Sequence, residues 1–381
     1  MKVLHIGKLC PPSEGGIEIF TADLLEYLNK NNVKADLLCF DHVSGIKKWN
    51  NFSCYACKLN LEFNSAPFSF DYIKNFTKIA KNYDIIHVHS PNPLAETTSL
   101  FVNKPIIVHW HSDIIRQKIS YIFYKPIQQR FLKKAKKIIV TSSQYLEASE
   151  QLKDHKDKAI VIPSGLKKER LFKEDDSKEF EKIKEKIEGK KVVLSIGRLV
   201  DYKGFEYLIE AAKFLDEEFL VIIIGKGPLY NKLIEKVEKE KVNEKVMLLG
   251  KIENIKPFLA SCDVFCLPSI DRREAFGLVL VEALAFGKPL ITTNVYGSGM
   301  NYVNVNNETG LVVESKNAKA IAEAIKKITS DKQLYEKFSK NAIERFKEFE
   351  IEKIGEKIIE VYKEIYEEVY KGNEKMKNKP I

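Results

Sequence analysis

Short β-rich runs alternate with helix-length amphipathic segments along almost the whole chain, and this alternation limits the possible folds more than any other feature. Strand candidates fall at residues 2–7, 35–40, 84–89, 106–110, 137–141 and 159–162. Between the first two, Ile17, Phe20, Leu24, Leu25 and Leu28 lie on one helical face. The pattern then restarts with strands at 192–197, 219–225, 246–249 and 264–267, and with helices over 204–215 and near 230–240. Such alternation implies parallel sheets covered by helices. A polar, Lys/Glu-rich segment between about 165 and 190 parts the two series. The reading is therefore α/β: two doubly wound, Rossmann-like domains, 1–165 and 166–350, facing across a cleft at the carboxyl ends of their strands, where ligands bind in this architecture. Helices are expected from about 331 to 371. In the last of them, 351–371, Tyr362, Ile365, Tyr366 and Val369 form an apolar stripe predicted to pack back on the first domain. Residues 372–381 read as a polar, frayed tail.

Composition narrows the class. An apolar fraction of 44% and a charged fraction of 30% over 381 residues fit a globular protein rather than a disordered one. The net charge of +9 suits an anionic ligand or an acidic membrane surface. Lysine is spread rather than blocked, and no RNA-recognition, zinc-finger or helix-turn-helix pattern occurs, so nucleic acid is not an expected partner. No apolar run is long enough to span a bilayer, and the N-terminus reads as a first strand rather than a signal peptide. The expected location is the cytoplasm. Six cysteines in a chain this long do not form a disulfide framework, and Cys54 and Cys57 make a lone CxxC with no second pair.

The run EAFGLVLVE at 274–282 puts two carboxylates around an apolar stretch. Read as loop into helix, it sets Glu274 at a helix N-terminus and Glu282 inside the helix. A hydroxyl-rich ligand would partner both; a favourable dipole position and a solvated face are the plainer alternative. The run SIGRLVDYKGF at 195–205 sets Arg198 at a strand end and Lys203 with Gly204 at the next helix start. A cation there is mildly unfavourable unless an anion is near, so the pair reads either as a diphosphate clamp or as two surface cations. Gly15 and Gly16 open the first helix, either as a tight turn or to let backbone N–H groups approach an anion. His87 and His89 alternate on one strand, and His109 and His111 on the next. They are open to reading as a transition-metal site or as hydrogen-bonded core and rim residues. The segment 41–71 carries Trp49, Phe52, Tyr55, Phe63, Phe68 and Phe70 with irregular spacing, as loop core or as acceptor contacts. The basic run at 130–137, preceded by Tyr121, Ile122, Phe123 and Tyr124, suits either a helix C-terminus or anionic lipid headgroups.

In combination, SIGRLVDYKGF, EAFGLVLVEALAFGKP and VHWHSD resemble the retaining GT-B glycosyltransferases of the large bacterial polysaccharide family (group 1, family 4). VHWHSDI is similar to members that add mannose or rhamnose to lipid-linked saccharides. The resemblance implies a nucleotide-sugar donor, with GDP-mannose the expected one, and a saccharide or polyprenol-linked acceptor. It implies that Arg198 and Lys203 hold the diphosphate and that Glu274 meets sugar hydroxyls. Phe276, Gly277 and Leu278 would bring backbone N–H groups to sugar and phosphate, Glu282 would hold the ribose, and Ile252 would lie by the base. His111 would contact the sugar near the reacting carbon, Gly16 the phosphate, and Asp113 either His111 or the acceptor. No DxD motif is present, so no metal or other cofactor is expected. A nucleotide-sugar epimerase and a non-catalytic nucleotide-sugar binding module are the alternatives; peripheral contact with an anionic membrane is a further expectation.

Overall fold

A computed structural model describes residues 1–12, 15–63, 66–172 and 177–371; the tail read at 372–381 lies outside them. The chain divides into two compact units, Met1–Leu166 with the segment from Ile351, and Lys167–Glu350.

The first unit is built on an eight-stranded sheet. Its strands are β1 (Lys2–Leu9), β2 (Lys34–Asp41), β3 (Gly45–Trp49), β4 (Phe52–Lys58), β7 (Ile85–Ser90), β8 (Ile106–Trp110), β9 (Lys137–Val140) and β10 (Ala159–Val161); β5 (Leu61–Phe63) and β6 (Ala66–Phe68) form a separate hairpin. The order is β10-β9-β8-β7-β1-β2-β4-β3, parallel except for β3 against β4. β1, β2, β7 and β8 are buried on both faces, which is why they read as near-continuous apolar runs. The segment 41–71, expected to be loop, instead widens the sheet. Phe52 is buried there, while Phe63 and Phe70 are exposed. Its strands were hard to read because β3 is an exposed edge whose pattern carries no apolar alternation.

The Gly16–Lys30 helix stops at Asn31, whose N–H reaches the carbonyls of Tyr27 and Leu28; Asn32 then takes φ 61°, a left-handed exit. The Ile351–Tyr366 helix returns to this unit and packs on the Gly16–Lys30 helix. Gly355 faces Tyr27 so closely that a Cβ would lie 2.1 Å from the ring. Ion pairs Lys136–Glu368 (2.6 Å) and Lys137–Glu364 (3.0 Å) hold the end of this segment to the sheet.

The second unit has a six-stranded, all-parallel sheet of β11 (Lys191–Ile196), β12 (Phe219–Ile224), β13 (Val246–Leu248), β14 (Val264–Leu267), β15 (Leu290–Asn294) and β16 (Gly310–Glu314). Its order, β13-β12-β11-β14-β15-β16, is that of a dinucleotide-binding Rossmann sheet, with the direction reversing between β11 and β14. β15 and β16 were not singled out from the sequence. No described helix is long and apolar enough to cross a membrane.

Candidate functional site

In the second unit, β11 and β14 are neighbours at the reversal point, and their outgoing loops meet. After β11 the chain makes a short 3-10 turn, Asp201–Lys203, and Gly204 then caps the Phe205–Ala211 helix at φ 65°. A side chain at 204 is excluded: its Cβ would sit 2.2 Å from the Pro268 carbonyl, in the loop after β14. The Ile270 N–H donates to the Tyr202 carbonyl at 2.8 Å and ties the same loops together.

This junction buries Lys203 and Glu274, 8% and 7% exposed, with Lys203 Nζ 2.5 Å from Glu274 Oε2. Ser269 donates to the same oxygen at 3.1 Å, and Ser298 Oγ donates to the Glu274 carbonyl at 2.5 Å. The aliphatic end of Lys203 lies against Gly197, where a Cβ would come within 3.2 Å of it. The anion that a cation at this helix start calls for is therefore Glu274 itself. Arg198 is exposed and forms no ion pair among the described residues. Arg273 pairs with Asp201 (2.9 Å) and Asp271 (3.0 Å) and stacks over Tyr202.

One expectation needs correction. Glu274 is not at a helix N-terminus: the helix is Leu278–Ala285, capped by Gly277 at φ 81°, and Glu274 lies in the preceding loop. The break comes from Gly277, whose positive φ ends the loop and whose carbonyl accepts from the Leu280 N–H at 2.8 Å. Phe276 is buried against Phe349, and Glu282 is half-buried within the helix. Ile252 is buried in the loop after β13, just past Gly250. Arg198, Lys203, Ile252, Glu274, Phe276, Gly277, Leu278 and Glu282 thus all belong to the second unit, in the loops after β11, β13 and β14 and in the helix that follows β14.

Gly16, His111 and Asp113 belong to the first unit. Gly16 begins its helix as read, with Gly15 as the cap. The Glu18 carboxylate folds back to within 1.9 Å of where a Gly15 Cβ would stand, so the helix start already carries an acidic group. Asp113 is buried and takes hydrogen bonds from Trp110 Nε1 (3.0 Å) and Ser149 Oγ (2.7 Å), while its N–H donates to the Tyr145 hydroxyl at 2.6 Å.

His5, His87, His89 and His109 lie on one face of β1, β7 and β8; His111, read from the sequence as a strand residue, follows just past the end of β8 and continues the row of rings. Register pairs His89 with His109, and also pairs His5 with His87, a fifth ring that the sequence reading missed. His5 sits mid-strand in β1, and no sequence pattern tells which strand lies beside β1. His89 meets His111 at 2.9 Å with the rings within 6° of coplanar, and His5 meets His89 at 3.0 Å. Tyr362, from the returning helix, bonds both His5 (2.9 Å) and His87 (2.5 Å). Burial alone holds His5 and His111 down at about 3, and burial with neighbouring imidazoles keeps His87, His89 and His109 well below the usual range. Two trios, His5–His87–His89 and His89–His109–His111, bring ring nitrogens within 4.8 Å. They fit a metal poorly. His89 is shared by both, the nitrogens already pair with one another, and neither trio holds an anionic ligand to offset a dication where His5, His87 and His109 are fully buried.

Sequence comparison adds the family. Residues 176–345 match the family described as Glycosyl transferases group 1, and residues 14–170 match Glycosyltransferase Family 4. The O-antigen chain mannosyltransferase C of Escherichia coli is 30% identical over 355 residues, 91% of this chain and 94% of that protein. The chain belongs to the group 1 glycosyltransferases. A second relative, the D-rhamnosyltransferase WbpZ of Pseudomonas aeruginosa, is likewise 30% identical over 91% of this chain and 92% of its own length. Among solved structures, Anabaena Alr3699/HepE in complex with UDP superposes with a TM-score of 0.77 at 19% identity, covering 96% of this chain and all of that one. The fold is therefore GT-B, and the protein is a glycosyltransferase.

Proposed function

We propose that this glycosyltransferase moves a hexose, mannose from GDP-mannose, onto a saccharide or polyprenol-linked saccharide in cell-surface polysaccharide synthesis, with retention of configuration. The observation that carries the reading is the buried Lys203–Glu274 pair at the reversal point of the second sheet. Ligands of doubly wound sheets bind at that point. A donor would divide the pair: its diphosphate takes Lys203 and Arg198, and its sugar hydroxyls take Glu274. Positive charge held ready there stabilises the charge that develops on the departing diphosphate. In this reading the two cations do the work of a divalent metal, and no cofactor is used. Glu282 takes the ribose, Ile252 lies by the base, and backbone N–H groups of Phe276, Gly277 and Leu278 meet sugar and phosphate. His111 contacts the sugar, Gly16 the phosphate, and Asp113 orders the end of β8 through Trp110. The choice of mannose follows the Escherichia coli relative, a mannosyltransferase; the Pseudomonas aeruginosa relative is a D-rhamnosyltransferase.

The test is release of nucleoside diphosphate from GDP-, UDP- and dTDP-sugars, with and without saccharide acceptors. Acceptor-dependent release of GDP from GDP-mannose, with the anomeric configuration kept in the product, supports the reading. A sugar altered in stereochemistry with no acceptor requirement replaces it with an epimerase.

We also propose peripheral contact with an anionic membrane. Ile119, Ile122 and Phe123 are exposed on the Lys118–Lys134 helix, beside Lys118 and Lys125. The basic run at its end is not all available for lipid, since Lys134 Nζ is committed to the carbonyls of Ser99, Leu100 and Val102. Co-sedimentation with phosphatidylglycerol vesicles that is lost in an Ile122→Ser/Phe123→Ser variant tests this contact.

A further inference from the structure

The buried histidines and Tyr362 form one unbranched hydrogen-bond chain. His109 Nδ1 faces His87 Nε2 at 3.3 Å, and His87 Nδ1 faces the Tyr362 hydroxyl at 2.5 Å. That hydroxyl faces His5 Nε2 at 2.9 Å, His5 Nδ1 faces His89 Nε2 at 3.0 Å, and His89 Nδ1 faces His111 Nε2 at 2.9 Å. Six side chains are thus joined by five bonds, and the chain has two ends, His109 Nε2 and His111 Nδ1. The ends differ. His109 is fully buried and its Nε2 has no hydrogen-bond partner among the described residues, whereas His111 keeps 6% of its surface exposed.

Proton counting restricts this chain to two states. A neutral imidazole carries one N–H and tyrosine one O–H. Six protons therefore serve five bonds, with one left over at an end. A bond holding two protons is repulsive, and a bond holding none is no bond, so the order must run one way throughout. In one order all five rings are Nδ1–H tautomers: Tyr362 accepts from His87 and donates to His5, and the spare N–H is on His111. In the other all five are Nε2–H and the spare N–H is on His109, buried with no nitrogen or oxygen acceptor among the described residues. Orphaned buried N–H groups are rare in folded proteins, so the first order prevails.

We propose that Tyr362, His5 and His89 are positioning residues for His111: the chain they complete holds His111 as its Nδ1–H tautomer, presenting a preorganised hydrogen-bond donor to an oxygen of the bound nucleotide sugar. The inference rests on the reading of His111 as a donor-sugar residue. His109 donates the first hydrogen bond, and each later member accepts one and can donate the next, which strengthens the terminal donor. The depressed proton affinity of every ring keeps the count at six protons across the working pH range.

The experiment is long-range proton–nitrogen correlation spectroscopy of the full chain labelled with 15N-histidine, which separates protonated from bare ring nitrogens. Exposed His42 serves as reference. Five Nδ1–H rings, unchanged from pH 8 to pH 6, are expected. A bare Nδ1 on His111, or mixed tautomers among the five, overturns the proposal. In Tyr362→Phe the His87–His109 pair loses its acceptor, so an unpaired N–H must sit at one end or the other. Its signals should split into two forms while His111 stays Nδ1–H; a spectrum identical to the parent's overturns the link through Tyr362. Should that variant fail to fold, the parent spectrum still decides. GDP-mannose or UDP-glucose added to the parent should shift the His111 Nδ1–H resonance most. If all five rings are Nδ1–H and no nucleotide sugar moves His111, the proton order stands and the assignment of His111 to the donor falls, so the two failures are distinguishable.

Discussion

Acid should unfold the first unit unusually early. His5, His87, His89, His109 and His111 are neutral and buried when folded, with affinities lowered from 6.5 to about 3 for His5 and His111. In the unfolded chain they return to about 6.5. Below that pH the unfolded state binds more protons, so stability falls as pH falls, and it goes on falling until the folded rings themselves protonate. Each ring costs RT ln(1 + 10^(6.5 − pH)), which summed over five gives about 0.3 kcal/mol at pH 7.5, about 2 at pH 6.5 and about 7 at pH 5.5. Glu96 acts in the opposite sense, because burial raises its affinity and its folded form gains on acidification. A loss near 7 kcal/mol is comparable with the whole stability of a typical domain, roughly 5–15 kcal/mol. Both tryptophans, Trp49 and Trp110, lie in the first unit, so their fluorescence during urea unfolding reports on that unit. Between pH 7.5 and 5.5 the unfolding free energy should drop steeply. His109→Phe should reduce the slope by about one proton, roughly 1.4 kcal/mol per pH unit. A free energy that changes by less than one proton's worth over this range would refute the reasoning.

Lys203→Ala and Glu274→Ala should each lower transfer by about 10²–10³-fold if the pair meets the donor. Each also leaves a buried charge unpaired, at a cost of about 3–5 kcal/mol, so rates must be normalised to the folded fraction. The double variant Lys203→Met/Glu274→Leu should recover melting temperature but not transfer, and unchanged transfer in both single variants would end the site assignment. Gly204→Ala, which must relieve a 2.2 Å approach to the Pro268 carbonyl and adopt φ 65°, should destabilise the second unit by about 1–3 kcal/mol in thermal melts. Transfer should persist in excess chelator; activity lost in chelator and restored by zinc would favour the histidine trios as a metal centre instead.

Much of the architecture was legible because parallel strands buried on both faces must be apolar, and amphipathic helices must repeat near every third or fourth residue. β7, β8, β11, β12 and β14 and the helix after Gly16 could be read this way. Edge strands escaped the same reasoning: β3 buries no residue, so the sequence had no pattern to show there. The candidate donor residues Arg198, Lys203, Glu274 and Glu282 came from motif spacing. Ser269 and Ser298, which brace Glu274, did not, because a serine near a glutamate in sequence carries no signal until the loop closes.

The amino-acid order alone determined most of the doubly buried strands, the strongly amphipathic helices, and that two series of alternating strands and helices follow one another, since local periodicity needs no partner to be expressed. Only the tertiary structure decided which strands are neighbours. That choice set β11 beside β14, bringing Lys203 onto Glu274, and set β1 beside β7, where His5 and Tyr362, 357 positions apart, share a hydrogen bond. Contacts of that separation are fixed by packing of the whole sheet, and no local pattern records them.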